Sequence, residues 1–360
     1  MKKILIMDTG SFHVFGGAAK TAYDTYLFLR KRGYKVDLYG NFSTVDKKAK
    51  PIKIQELRPD YYDVVMLNSI RDVPVITDNL NPTKTKTRFI YTDRGNVICN
   101  FKNAGAGKLL PKMLARQYLI QKMRSWLDCY VALNSEQEDA AKTFFPGSVK
   151  IKFIPNWYSD EFKRLKSVKK SESAIYVGRL DERQKKVNFL IQGIARFVQN
   201  RPELKDKVVL KIVGSGPDEK RYKTLVSKLG LSGNIRFHGF VDILDLIKLY
   251  NSALFFVSTS VWEGMSGTFI EAMATGLPLL INERNNAHMN YAGKELLVTD
   301  NYNGLIYEYD DLEDFADKFH QLYTKEPLRK KLAENSCSFS KNFTMAENLN
   351  RYARIIETLG

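Results

Sequence analysis

A chain of 360 residues is long enough for two domains of ordinary size, and its 44% hydrophobic and 27% charged residues exclude a disordered protein. No apolar run approaches the length of a transmembrane helix. The net charge of +16 implies an acidic partner, and it is lopsided: residues 1–155 hold 26 Lys and Arg against 14 Asp and Glu, net +12, leaving +4 for the remainder.

The amino end, MKKILIMDTG, has an apolar run of four residues before Asp8, too short for a signal peptide. Cys99, Cys129 and Cys337 are far apart and show no CxxC spacing, which points to free thiols and a cytoplasmic location. The run KILIM (3–7) predicts a buried strand, followed by the loop DTGSFHVFGGAAK, a helix to Arg32 closed by Gly33, and a second strand at 35–39. Strand, loop, helix and strand in that order predict a parallel sheet. Gly16 and Gly17 either let the backbone approach a ligand at the carboxyl edge of that sheet or simply form a turn. Further strands are predicted at 63–67, 88–92, 129–133 and 151–154.

Residues 102–124 hold six basic residues and no acidic one. Within them Lys108, Lys112 and Arg116 recur at four-residue spacing beside the apolar residues Leu109, Leu110, Met113, Leu114, Leu119, Ile120 and Met123. Such a helix either lies on an anionic membrane surface or is an ordinary surface helix with its stripe in the core.

The polar, basic stretch 159–173 has no clear period and predicts a linker. Beyond it, strands at 174–177, 208–213, 235–238 and 253–258 alternate with helices at 187–200, 218–229 and 242–250. The predicted class is therefore α/β, with two doubly wound Rossmann-like domains and a cleft at the carboxyl ends of their strands. The divisions are 1–157, a linker at 158–172, 173–340, and a final segment, 341–360, whose helix crosses back to the first domain in chains of this type.

The richest stretch is VWEGMSGTFIEAMATGLP, residues 261–278. Glu263 follows the apolar run ALFFVS, and Glu271 lies in a helix stopped by Gly276 and Pro278. Between them Ser266, Gly267, Thr268 and Phe269 bring backbone N–H groups to a helix start, where an anion is favoured. Carboxylates beside an anion site suit a phosphate that carries hydroxyl groups on both sides, as in a nucleotide sugar. The alternative is two solvated charges near a helix start. Arg179 leaves a strand end and Lys185 precedes a helix, so both can serve a diphosphate. Gly214, in VGSGP, again permits close backbone approach.

The ordered set FGG, IPN, VGRL with a following Lys, VGSGP, FHGF, EGMSGTFIEAMATGLP and NGLIY resembles the retaining glycosyltransferases of family 4, with the GT-B fold. The resemblance runs from about residue 3 to 345, and the pair Glu263 and Glu271, seven residues between them, is that family's signature. It implies that Arg179 and Lys185 grip the donor diphosphate. Family members usually place the Lys five residues after the Arg; here the interval is six, which leaves Lys186 as a rival. It implies further that Glu271 accepts the ribose hydroxyls, that Glu263 stands near the donor sugar, and that the amides of Thr268 and Phe269 meet the phosphates. The resemblance also implies that Gly17 falls in the loop that closes on the donor, and that Phe240 and Val241 lie where the base stacks. Many members carry a functional His after a central strand of the first domain; here Asp93 and Arg94 follow that strand, and Asp93 takes the place. His238 is expected to pack, and His13, in the Gly-rich loop, to touch substrate or not.

The expected reaction moves a hexose or N-acetylhexosamine from a nucleotide-diphosphate sugar, a UDP-sugar, to a glycan, lipid-linked or cell-envelope polymer acceptor. The anomeric configuration is retained. Neither a metal nor another cofactor is expected: the four histidines show no metal spacing, and Arg179, Lys185 and the helix start supply the positive charge. The basic half implies an acceptor side, and peripheral contact with the inner face of the cell membrane through 102–124. The alternatives are a GT-B UDP-sugar epimerase and a basic nucleic-acid-binding protein. No helix-turn-helix, RRM or zinc pattern appears, so no nucleic acid partner is expected.

Overall fold

The computed structural model describes residues 1–9, 17–40, 42, 46, 49–94, 97–102, 111–165, 167–199, 201–204, 207, 209–287, 289–291 and 295–359. It divides into two compact units. One contains Met1–Asn156, Tyr291–Lys294 and Ala346–Gly360; the other contains Trp157–Asn290 and Glu295–Met345.

The first unit is built on a six-stranded parallel sheet of β1 (Lys3–Asp8), β2 (Lys35–Gly40), β3 (Val64–Leu67), β4 (Arg88–Thr92), β5 (Cys129–Ala132) and β6 (Lys150–Phe153). Their order is β2-β1-β3-β4-β5-β6. β3 (VVML) and β5 (CYVA) are buried at every position, as expected of strands covered on both faces. The connecting helices are α1 (Gly17–Lys31), α2 (Asp72–Asn79), α3 (Val97–Lys102), α4 (Pro111–Met123) and α5 (Ser135–Phe144). The chain order reverses between β1 and β3, and one residue stitches the loops there. The buried Asp72 carboxylate accepts from the backbone N–H and Oγ1 of Thr9 at 2.8 and 2.7 Å, and from the N–H groups of Asn68 and Ser69 at 3.0 and 2.9 Å.

The second unit holds another six-stranded parallel sheet: β7 (Ala174–Val177), β8 (Leu210–Val213), β9 (Ile235–Gly239), β10 (Phe256–Val257), β11 (Leu279–Asn282) and β14 (Gly304–Tyr307). The short strands β12 (Asn290–Tyr291) and β13 (Glu295–Leu296) precede β14. The order β14-β11-β10-β7-β8-β9 places the earliest strand beside the fourth, so the winding reverses between β7 and β10. In sheets of this kind ligands bind outside the carboxyl ends of the strands at that reversal.

The helices of this unit are α6 (Glu182–Lys185), α7 (Val187–Gln199), α8 (Glu219–Lys228), α9 (Ile243–Ser252), α10 (Gly267–Ala274), α11 (Glu283–Ala287), α12 (Leu312–Thr324) and α13 (Glu326–Ser340). Along α7, Val187, Leu190, Ile191, Ile194 and Phe197 recur at helical spacing and are fully buried. The stretch predicted as a linker is fastened to the same unit. Asn251 accepts from the Leu165 N–H at 2.7 Å and donates to the Lys163 carbonyl at 3.1 Å, while Lys170 Nζ reaches the Ala253 carbonyl at 2.7 Å. Phe162 is buried, so the segment packs rather than swings.

The last helix, α14 (Met345–Leu359), belongs almost wholly to the first unit. Its Tyr352 hydroxyl lies 3.1 Å from Thr92 Oγ1, and Lys2 Nζ donates to the Ile356 carbonyl at 2.6 Å. Among the described residues no helix is long and apolar enough to cross a membrane.

Candidate active site

The reversal point of the second sheet gathers the charges that the sequence singled out. β7 runs out into Gly178 and Arg179, and β10 runs out into the loop that carries Glu263 to α10. Three bonds fasten these two exits together. Val261 N–H donates to the Gln184 carbonyl at 2.8 Å, Thr259 Oγ1 to the Lys185 carbonyl at 2.8 Å, and Gln184 Nε2 to the Trp262 carbonyl at 3.1 Å. Sequence reasoning missed Gln184, whose partner lies 78 residues away.

Lys185 and Glu263 form an ion pair with side chains only 15% and 11% exposed. Lys186, the rival cation, turns away. It caps α6 in the left-handed region at φ +46 and joins Asp310 and the Tyr309 hydroxyl, its ammonium 4.5 Å from the Tyr309 ring centroid. The inserted residue is therefore absorbed by one left-handed turn, and Lys185 is the cation presented to Glu263. Arg179 is half exposed, its Nη2 2.9 Å from Asp181 Oδ2. Asp181 is itself buried and accepts from the Arg183 N–H at 3.1 Å as the cap of α6. The guanidinium is thus oriented by a carboxylate yet left open to solvent.

α10 begins beside these cations. Ser266 is its N-cap but makes no side-chain bond to the helix backbone; its Oγ lies 3.0 Å from Thr268 Oγ1 instead. The first intrahelical bond is Ile270 N–H to the Ser266 carbonyl at 3.3 Å, so the amides of Gly267, Thr268 and Phe269 belong to the unbonded first turn. A Cβ built on Gly267 would meet nothing within 4 Å, which leaves that side of the helix start open. Phe269 anchors the turn from beneath, 1% exposed. Glu271 lies one turn on. The buried Tyr250 hydroxyl donates to its Oε2 at 3.4 Å and to the Thr268 carbonyl at 3.3 Å. Burial, and then the Glu271 carboxylate, push the Tyr250 phenol well above its ordinary pKa, so it remains a neutral donor.

Gly214 sits at φ +125, and a Cβ there would lie 2.0 Å from the Gly178 carbonyl oxygen. Its bareness is accounted for by the close packing of the β7 and β8 exits. Phe240 follows β9 and is 61% exposed, with Val241 half-buried beside it. β9 lies two strands from β7, roughly 10 Å, so a ligand reaching both would be long. His238 is partly buried, and burial with nearby Lys211 and Arg236 lowers its pKa, leaving it neutral.

In the first unit Asp93, the residue expected in the place of the family's His, follows directly on β4. It is fully buried and caps α3, accepting from the Val97 and Ile98 N–H groups at 2.9 and 3.2 Å and from the Tyr130 hydroxyl at 2.7 Å. Arg94 is the residue of that turn which stays at the sheet edge, its Nε 3.1 Å from Asn68 Oδ1 and Nη1 2.8 Å from Asn156 Oδ1. On α4, Ile120 and Met123 are buried, whereas Leu114, Arg116 and Tyr118 are exposed. Gly17 opens α1, with nothing within 4 Å of a Cβ built there. Gly16, His13 and Lys108 lie outside the described residues, as does the side chain of Lys112.

The family model for glycosyl transferases group 1 matches residues 158–338, half of the chain and the part that carries this site. The chain belongs to that family. Among its relatives, a glycosyltransferase EpsD of Bacillus subtilis is 30% identical over 46% of this chain, and the match spans only 40% of EpsD. The GalNAc-α-(1→4)-GalNAc-α-(1→3)-diNAcBac-PP-undecaprenol α-1,4-N-acetyl-D-galactosaminyltransferase of Campylobacter jejuni is 23% identical over 88% of this chain and 87% of its own length. The solved structure of HepE from Anabaena with UDP-glucose matches at a TM-score of 0.78, covering 99% of this chain and 100% of that one at 18% identity. The likeness shows the GT-B fold.

Proposed function

We propose that this group 1 protein is a retaining glycosyltransferase of family 4, moving a hexose or N-acetylhexosamine from a UDP-sugar to a glycan or lipid-linked acceptor. The observation that carries this reading is the Lys185–Glu263 pair at the strand reversal, beside Arg179 and the open start of α10. A diphosphate there meets two cations and the first-turn amides of Thr268 and Phe269. Glu271, held by Tyr250, accepts the ribose hydroxyls, and the exposed Phe240 with Val241 receives the base. Glu263 faces the donor sugar, with Lys185 linking it to the phosphate end.

In the proposed step the bond between the anomeric carbon and the diphosphate oxygen breaks. The acceptor oxygen bonds the same face of that carbon, and its proton passes to the departing phosphate. Charge that builds on the leaving diphosphate is met by Arg179, Lys185 and the helix start, without a metal. An undecaprenol-linked glycan is in the name of the Campylobacter relative, which supports a lipid-linked acceptor here. The exposed Leu114, Arg116 and Tyr118 of α4 support peripheral contact with an anionic membrane surface. Incubating the protein with UDP-, GDP- and ADP-sugars, with and without EDTA, tests the reading. Turnover of a UDP-sugar that survives chelation supports it; loss of all turnover with chelator contradicts the metal-free step.

A further inference from the structure

The first unit carries a second cluster of cations, at the opposite end of its sheet from Asn68, Asp93 and Arg94. A cavity of about 440 Å³ opens along edge strand β2. Four of its lining residues are Lys3, Arg30, Lys35 and Lys50, against a single lining acid, Asp37. Lys3 and Lys35 open β1 and β2 and stand in register on neighbouring strands, about 4.8 Å apart. Among the described residues none of these four side chains forms an ion pair; the close partners of Lys3 and Arg30 are tyrosine rings, and the Lys3 backbone N–H donates to Asp63 Oδ2 at 2.7 Å. The Lys3 ammonium sits 4.1 Å from the Tyr61 ring centroid, and Arg30 donates to the Tyr26 hydroxyl at 2.6 Å. Asp37 is engaged by the Tyr62 hydroxyl at 3.0 Å, and Tyr34 of the cavity wall by Glu357 at 3.2 Å.

Four like charges around one cavity repel one another, and the single lining carboxylate, Asp37, offsets only part of that charge. An anion would offset the rest. A ring adds a second requirement: Tyr61, exposed beside the Lys3 ammonium, suits a ligand with both charge and a sugar surface. A single bounded cavity differs from the long groove by which single-stranded nucleic acid is tracked. We infer that this cavity is a binding site for an acidic glycan, one bearing carboxylate or phosphate groups on its sugars, separate from the site on the second unit. The inference does not rest on the transfer reading, because binding is measured without donor.

The test is calorimetric titration of the full chain with hexagalacturonate, maltohexaose, tripolyphosphate and a single-stranded hexanucleotide. The variants are Arg30→Gln/Lys35→Gln/Lys50→Gln, which removes three exposed charges, and Tyr61→Ala. The expected result is binding of hexagalacturonate that weakens with salt, tenfold or more weaker in the triple variant, with no binding of maltohexaose. Tyr61→Ala should weaken hexagalacturonate several-fold and leave tripolyphosphate unchanged. UDP binding in the triple variant should match the wild type, which also shows that the variant is folded. Equal hexagalacturonate binding by wild type and triple variant, or none by either, overturns the site. Tripolyphosphate binding together with hexagalacturonate binding that Tyr61→Ala leaves unchanged reduces it to an anion site and overturns the glycan; tighter binding of the hexanucleotide overturns it too.

Discussion

Replacing Lys185 by Met tests the heart of the candidate site, because it leaves the Glu263 carboxylate without its cation. Both side chains are largely sequestered, at 15% and 11% exposure, so solvent cannot fully replace the lost partner. Removing one member of a buried pair costs up to 3–5 kcal/mol, and the residual exposure here places the expected loss at about 2–3 kcal/mol. At about 2–4 °C per kcal/mol, the thermal transition of the second unit should fall by roughly 4–12 °C. Adding Glu263→Gln removes the stranded charge, so the double variant should return most of that stability, within about 1 kcal/mol of the wild type. Activity should not return, because the charge-assisted contact to phosphate, worth about 1.5–3 kcal/mol, is still missing. Lys186→Met should leave both stability and donor turnover near wild type, since its pair with Asp310 is more exposed. Scanning calorimetry and a donor-hydrolysis assay read the two effects separately. An unchanged transition in Lys185→Met, or a double variant that regains turnover, would refute the reasoning.

Asp93→Ala should destabilise the first unit by about 2 kcal/mol or more, since α3 loses its cap and the Tyr130 hydroxyl its acceptor, while the folded fraction keeps hydrolysing donor. A stable but inactive Asp93→Ala would restore the catalytic assignment. Gly214→Ala places a Cβ 2.0 Å from the Gly178 carbonyl at φ +125, so it should lower the melting temperature clearly; a neutral effect would mean that the two loops are not packed as described. Tyr250→Phe removes one hydrogen bond that holds Glu271, and KM for donor should rise several-fold with kcat little changed. A fall in kcat alone would place Glu271 at the chemistry instead of the ribose.

How far the fold could be read ahead of the structure depended on how local each signal was. The stop signal Gly276-Leu-Pro278 is local, and α10 ends at Ala274, two residues before that glycine. The α12 cap is equally local: the Asp311 side chain accepts from the Glu313 and Asp314 N–H groups, a pattern visible in DDLED. By contrast, β10 is only Phe256–Val257, because Ser258 to Ser260 already bend into the loop that meets α6. The role of Asp93 depends on Tyr130, 37 residues away, and the fastening of 159–173 on Asn251, 86 residues from Leu165. Residue type and spacing carry no trace of such partners. The choice between Lys185 and Lys186 was undecidable from spacing alone, since it turns on one left-handed backbone angle.

The most direct test of sugar transfer at the strand reversal is the anomer first released from an α-linked UDP-sugar. Proton NMR of the purified chain, in EDTA and with water as the acceptor, resolves it before mutarotation mixes the products. The α anomer is predicted, together with free UDP and its loss in Arg179→Ala. First release of the β anomer would contradict retention, and release undiminished in Arg179→Ala would contradict the site.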